Sequence, residues 1–306
     1  MSDIRQSAIW SHFLSANSWE CHLKDHIRVY SKKIPFTPFR VVKILRPTLP
    51  FSLSRLNGYV NTLHPLLIKI EPLTDDPLLI DPFLNEAHQL GYFVDPWRLT
   101  PPETIRVNLD TSPDFLFSAM RKNVRWGIRR AERNSLTLSR ITSKEEFLSF
   151  WKEIAKNHSA LKQIEGDVAT WWDIFPTNRY VYGCFFREKL LSVAFLVPHQ
   201  RMLHLLYLAT NEEGRKLYAT YFLIWAILKR AKKYGFSFLD FEGIDTKHVF
   251  GSRWDGLTFF KRGFGGSIHT YPPSLTKILF PLIPLLARLV TRLRPRHTKN
   301  LLRDLS

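Results

Sequence analysis

The sequence predicts a mixed α/β (α+β) protein built from two lobes. Three observations carry this. Helix-and-strand packages recur before and after about residue 142. Apolar runs at 180–186, 190–198 and 202–209, the first two separated by the polar turn Arg187-Glu-Lys189, read as a meander of antiparallel strands. Residues 218–234 then place Tyr221, Ile224, Trp225, Leu228 and Ala231 on one helical stripe, with Gly235 as the stop and an apolar strand at 236–241. The expected division is residues 1–142, residues 143–272 and a basic amphipathic tail at 273–306.

The elements follow in order. Residues 11–30 read as a helix and then a strand, and 39–45 as a second strand running into the turn Arg46-Pro-Thr-Leu-Pro50. A helix is expected at 53–63 and a Pro-bounded buried strand at 65–72. The acidic, Pro-rich residues 73–85 read as a loop, and 87–93 as weakly helical. Clean alternation at 104–110 predicts a strand. Asp110-Thr-Ser-Pro113 then caps a helix. A second helix at 121–133 has Val124, Ile128 and Ala131 on one face, with Arg121, Lys122, Arg125, Arg129, Arg130 and Arg133 crowding the remainder. These cations are either a solvated face or the binding surface of an anion. A strand at 136–141 precedes a helix opened by the capping box of Ser143 and Glu146, and a Trp-rich helix is expected at 168–175.

The chain is rich in large apolar side chains, with 23 Phe and 9 Trp among 306 residues and 45% apolar residues in all. That is ample for a sizeable core. Lys and Arg outnumber Asp and Glu by 44 to 27, a formal charge of +17. Such a surplus favours RNA, anionic lipid or phosphorylated substrates. Cys21 and Cys184 stand in no metal spacing and read as buried thiols of a reducing compartment. Residues 1–19 lack the apolar segment of a signal peptide, and the longest apolar run, 278–287, is too short and Pro-broken to span a membrane. A cytoplasmic protein is expected. The segment 275–299 pairs an apolar run with a basic cluster, so it either packs on the body or lies against the inner face of an anionic membrane.

No Walker loop, dinucleotide fingerprint, zinc spacing or nucleophile elbow is present, so neither metal nor cofactor is expected. Two features carry chemistry. Gly256-Leu-Thr-Phe-Phe-Lys-Arg-Gly-Phe-Gly-Gly266 reads as an extended segment with Lys261 and Arg262 on opposite sides, ending in a glycine turn. It is either an edge strand with a solvated cation pair or an anion site. Asp240 and Asp245 stand near the end of the strand at 236–241, where a carboxylate either bonds loop amides or serves a site.

Four stretches in order resemble the Fem peptidyltransferases. They are Thr104-Ile-Arg-Val-Asn-Leu-Asp110 running into 120–133, Tyr207-Leu-Ala-Thr-Asn211, residues 225–235 leading to Asp240-Phe-Glu-Gly-Ile244, and the stretch 256–266. The resemblance covers residues 10–272, and with no coiled-coil arm it is nearest to the compact FemX type. It implies two lobes of the GNAT acyltransferase fold and transfer of an amino acid from aminoacyl-tRNA to a lipid-linked or nucleotide-linked peptidoglycan precursor. It further implies that Lys261, after the aromatic Phe260, assists near the acyl carbonyl. Lys261, Phe260 and, from its place at the strand end, Asp240 are the expected catalytic residues. Arg46 is the match for a basic turn residue contacting the precursor's phosphates, although this turn reads Arg-Pro-Thr rather than Arg/Lys-Gly-Pro. Arg125, Tyr207 and Tyr218 are further candidates for substrate contact. A GNAT acyl-CoA transferase and a non-enzymatic RNA or membrane module are the alternatives. The first needs a pyrophosphate loop, of which Asn211-Glu-Glu-Gly-Arg-Lys216 is a degenerate version.

Overall fold

The computed structural model describes residues 2–174 and 180–279. The described residues divide into two compact units, those up to 102 together with those from 271, and those of 103–270. The boundary therefore falls before the strand at 103, not at 142. That strand pairs entirely within the second unit, which carries the helices after it along.

The first unit opens with α1 (Ala8–Ala16), capped by the Ser7 hydroxyl, and the hairpin β1 (Glu20–Lys24) and β2 (Ile27–Lys33). Next come β3 (Arg40–Thr48), α2 (Leu53–Asn61) and β4 (Pro65–Leu73). β3 and β4 pair in parallel across that helix. The loop expected at 73–85 is helical from 77: a 3-10 turn, Pro77–Leu79, leads into α3 (Ile80–Gln89). Two features explain the helix. Asp76 accepts from the Leu78 amide, and Phe83 and Ala87, four residues apart, are both buried. β5 (Phe93–Val94) ends the run.

The second unit starts with β6 (Glu103–Asn108), then α4 (Pro113–Ser118) capped by Ser112, and α5 (Lys122–Glu132). β7 (Thr137–Arg140) is followed by α6 (Lys144–Ala155), whose first turn is capped by the Ser143 hydroxyl. Two further helices, α7 (Ser159–Gln163) and α8 (Glu165–Ile174), precede the meander β8 (Tyr180–Phe186), β9 (Lys189–His199) and β10 (Met202–Thr210). Then come α9 (Glu212–Lys216), α10 (Ala219–Lys233), β11 (Phe238–Asp240), α11 (Asp255–Arg262) and β12 (Ser267–Thr270). The chain finally re-enters the first unit as β13 (Leu275–Ile278), which pairs with β4 and β5. The start of the expected tail is thus a sheet strand. The expected amphipathic segment beyond residue 279 lies outside the described residues.

The first sheet has the order β1-β2-β3-β4-β13-β5 and the second β12-β6-β11-β10-β9-β8-β7. Helix α10 and the α4–α5 pair bury Leu223, Ile227, Leu116 and Ile128 against Ile105, Val107, Leu203 and Leu239 on one face of the second sheet. On the other face α6 and α8 stack Phe147 and Trp172 near Phe195.

Stretch 256–266 departs from its expected extended form, because its first half is helix. Its aromatics obey a four-residue spacing rather than a two-residue one. Phe260 and Phe264 touch ring to ring at 5.2 Å, and Phe264 stacks on Phe241 at 5.4 Å. The glycines serve the turn that follows: Gly265 and Gly266 have φ of +78° and +89°, and a Cβ on Gly266 would lie 2.6 Å from the Arg106 carbonyl oxygen.

Candidate functional site

The site of the second unit lies where two parallel strands part. β10 and β11 pair over Met202–Phe238, Leu203–Leu239 and His204–Asp240, and no further. β10 runs on to Thr210, with a register irregularity between Leu205 and Tyr207, while β11 gives way to a turn. A crevice at the carboxyl ends of diverging parallel strands is a recurrent binding position in α/β folds.

Asp240 organises the turn. Its buried carboxylate accepts from the Thr104 hydroxyl, from Arg106 Nε at 3.1 Å and from the Glu242 amide at 2.7 Å. The Glu242 backbone is left-handed, with φ of +52°. Its side chain meets Nδ1 of the buried His204 at 2.7 Å. Helix α11 then brings Lys261 to this turn, where Nζ donates to the carbonyls of Glu242 at 3.0 Å and Gly243 at 2.7 Å. Lys261 is half-buried as a residue, while its ammonium is well desolvated. That loss of water lowers its pKa to about 8, against the opposing pull of Glu242 and Asp240. Asp245 holds the loop between β11 and α11 together. Its carboxylate accepts from the amides of Val249 at 2.9 Å and Phe250 at 2.6 Å, and its own amide donates to the Thr258 hydroxyl of α11 at 3.1 Å.

Phe260 and Lys261 are neighbours on a helix, so their side chains diverge by about 100°. Phe260 points to a cavity of about 450 Å³ lined also by Leu208, Thr210, Gly214, Arg215, Tyr218 and Tyr221. Tyr218, at φ of +59° just before α10, forms part of its wall. Tyr207 does not line it. It packs edge-on to Trp151 at 5.9 Å and Phe195 at 6.2 Å, and burial pushes its hydroxyl pKa up. Alternation along β10 sends Leu208 to the cavity and Tyr207 to the α6 and α8 side.

Two arginines are placed differently from expectation. Arg125 Nη1 donates to the Ser118 and Met120 carbonyls at 2.8 and 2.6 Å, closing the C-terminal end of α4. In the first unit, Arg46 is 1% exposed. Its Nη2 donates to Thr100 Oγ1 and, at 2.7 Å, to the Pro101 carbonyl, and its guanidinium stacks 3.3 Å from the Tyr271 ring centroid. Contact with a precursor's phosphates would require this packing to open, although Nε and Nη1 of the guanidinium are buried without a hydrogen-bond partner among the described residues. Arg46→Ala is expected to lower unfolding stability by about 2–3 kcal/mol, read by thermal denaturation, because charged hydrogen bonds and packing are lost together.

Sequence reasoning missed His204, Glu242, Thr104 and Arg106. The strand alternation at 104–110 would have placed Thr104 and Arg106 on one face, but nothing local pairs them with Asp240, which is 136 and 134 residues away. His204, Asp240 and Glu242 have donor atoms within 4.8 Å of one another, the spacing of a metal site. Asp240, however, is already engaged by Arg106, Thr104 and the Glu242 amide, so a cation would have to displace a guanidinium.

Residues 187–291 match the model of the FemAB family. Among solved structures, the chain superposes on FemX with a TM-score of 0.75 at 16% identity, covering 94% of each chain. It superposes on L-PGS from Bacillus licheniformis with a TM-score of 0.56 at 13% identity, covering 97% of this chain and 98% of that one. A tandem GNAT protein from the clavulanic acid biosynthesis pathway gives 0.50 at 13% identity, covering 83% and 79%. No curated protein sequence matches. The resemblance to the Fem family and the expected mixed α+β fold are borne out, with two mixed sheets flanked by helices. Among the described residues, no helix is long and apolar enough to cross a membrane.

Proposed function

We propose that the chain is an aminoacyltransferase that moves an amino acid from aminoacyl-tRNA to the amine of a peptidoglycan precursor peptide. The observation that carries this is the Lys261 ammonium, held by two backbone carbonyls at the β10–β11 split and preceded by the cavity-lining Phe260. The match of the FemAB model to residues 187–291 spans this region. The acceptor nitrogen attacks the ester carbonyl, and an amide bond forms as the bond to the ribose oxygen breaks. The departing hydroxyl takes the proton. Negative charge gathers on the carbonyl oxygen between these events, and a desolvated ammonium stabilises it far better than a hydrated one. Lys261 is that group, and Asp240 acts through it as a positioning residue by fixing the turn that holds Nζ. Tyr218 and Phe260 wall the neighbouring cavity of about 450 Å³, which receives the terminal adenosine of the donor and leaves its ester outside, on the Lys261 side of α11.

An acyl-CoA donor is less well supported. A pyrophosphate loop needs free backbone amides, but the Gly214 amide is spent on Asn211 Oδ1 at 2.7 Å and the Arg215 amide on the Asn211 carbonyl at 3.1 Å. Glu212 and Glu213 add repulsion there. Incubation with charged tRNA pools and a lipid-linked or nucleotide-linked precursor is expected to raise the acceptor's mass by one amino-acid residue. An acetyl increment from acetyl-CoA, with no amino-acid increment, would overturn the reading. Action at the cytoplasmic side of the membrane follows from such an acceptor.

A further inference from the structure

We infer that the outward stripe of α5 is the path along which the single-stranded end of an RNA reaches the cavity. This rests on the aminoacyl-tRNA reading and adds to it the surface that receives the nucleic acid. Lys122, Trp126, Arg129, Arg130 and Arg133 recur at helical spacing on the side of α5 opposite the buried Val124, Ile128 and Ala131. Among the described residues, none of these four cations forms an ion pair, and the helix carries one acidic residue, Glu132. Four unneutralised charges on one stripe repel each other, and a polyanion removes that cost.

The aromatic in their midst narrows the choice of polyanion. The Trp126 side chain is large, flat and 56% exposed. Its ring meets Tyr218 at 5.1 Å and 90°, and Tyr218 is a wall of the cavity. Gly127 makes this junction close, since a Cβ there would lie 3.2 Å from the Tyr221 ring. Cations that track phosphates beside an aromatic face that stacks a base are the common design of single-strand binding. A bilayer would use the same cations, but it has no use for a stripe that leads through Trp126 and Tyr218 into a cavity.

The test is anisotropy of a labelled, uncharged RNA hairpin carrying a short single-stranded tail, with anionic phosphatidylglycerol vesicles as a second arm. Lys122→Gln with Arg130→Gln is expected to weaken RNA binding about tenfold and to lower the salt slope by about two. Trp126→Ala is expected to weaken the tailed hairpin about tenfold and a blunt hairpin hardly at all, because only the tail offers an unpaired base. Lys122 and Arg130 are exposed, so thermal melting of the double variant is expected to be unchanged, and Trp126→Ala is expected to lower it only slightly through its edge contact with Tyr218. Binding of the tailed RNA that ignores these substitutions would overturn the path while leaving the donor reading intact. Absence of RNA binding by the unsubstituted protein would defeat the donor reading itself. Vesicle binding that falls with the same substitutions, without RNA binding, would assign the stripe to a membrane.

Discussion

Lys261→Met is expected to reduce transfer about a hundredfold to a thousandfold while leaving the protein folded. The first half of that expectation follows from the loss of a preorganised charge at the acyl carbonyl, whose removal in comparable sites has about this effect. The second half follows from the pKa. A lysine whose folded pKa has fallen to about 8 is less comfortable charged in the fold than in the unfolded chain. Near neutral pH the ammonium therefore costs stability, and methionine removes that cost at similar length. Against it stand the carbonyls of Glu242 and Gly243, each losing one donor. The two effects oppose, so the melting temperature should move little. Single-turnover transfer, measured beside a melting curve, checks both. Full transfer by a folded Lys261→Met protein would remove Lys261 from the mechanism.

The limits of legibility in the sequence have physical causes. Period-3.6 and period-2 patterns located α10, β6 and the meander closely, because in each a single buried face dictates the pattern. Stretch 256–266 misled because Phe259 and Phe260 are adjacent, and adjacency fits strand and helix alike. Only the partners Phe241 and Tyr221 decide that Phe260 and Phe264 share a face. The choice of Lys261 did not depend on that geometry, since it rested on the order of motifs. The burial of Arg46 was hidden for the opposite reason. A basic residue beside a Pro turn looks exposed, but here β3 continues through it and Tyr271, 225 positions later, closes over the guanidinium. Asp240 read as a carboxylate needing a partner, and it has one in Arg106. What no local pattern announces is a network closed by tertiary contact, and His204 with Glu242 is such a case.

The pH profile should carry the signature of the same lysine. If Lys261 acts as a cation, the active fraction is its protonated fraction, and kcat/KM should fall about tenfold per pH unit above about pH 8. The acceptor amine works in the other direction, because it must lose its proton to attack. An α-amine with an ordinary pKa of about 8 gives a bell whose two limbs nearly coincide, whereas a side-chain amine near about 10.4 keeps the ascending limb far above the descending one. The limbs are separated by Lys261→Arg, whose guanidinium stays charged throughout. Even with activity reduced by its different shape, this variant should lose the descending limb and keep the ascending one. A wild-type rate that instead rises through pH 8 to a plateau, with the rise lost in Lys261→Arg, would identify the neutral amine as a base that takes the acceptor's proton. The stabilising charge would then have to come from elsewhere, and Arg106 beside Asp240 is a cation already fixed in the network.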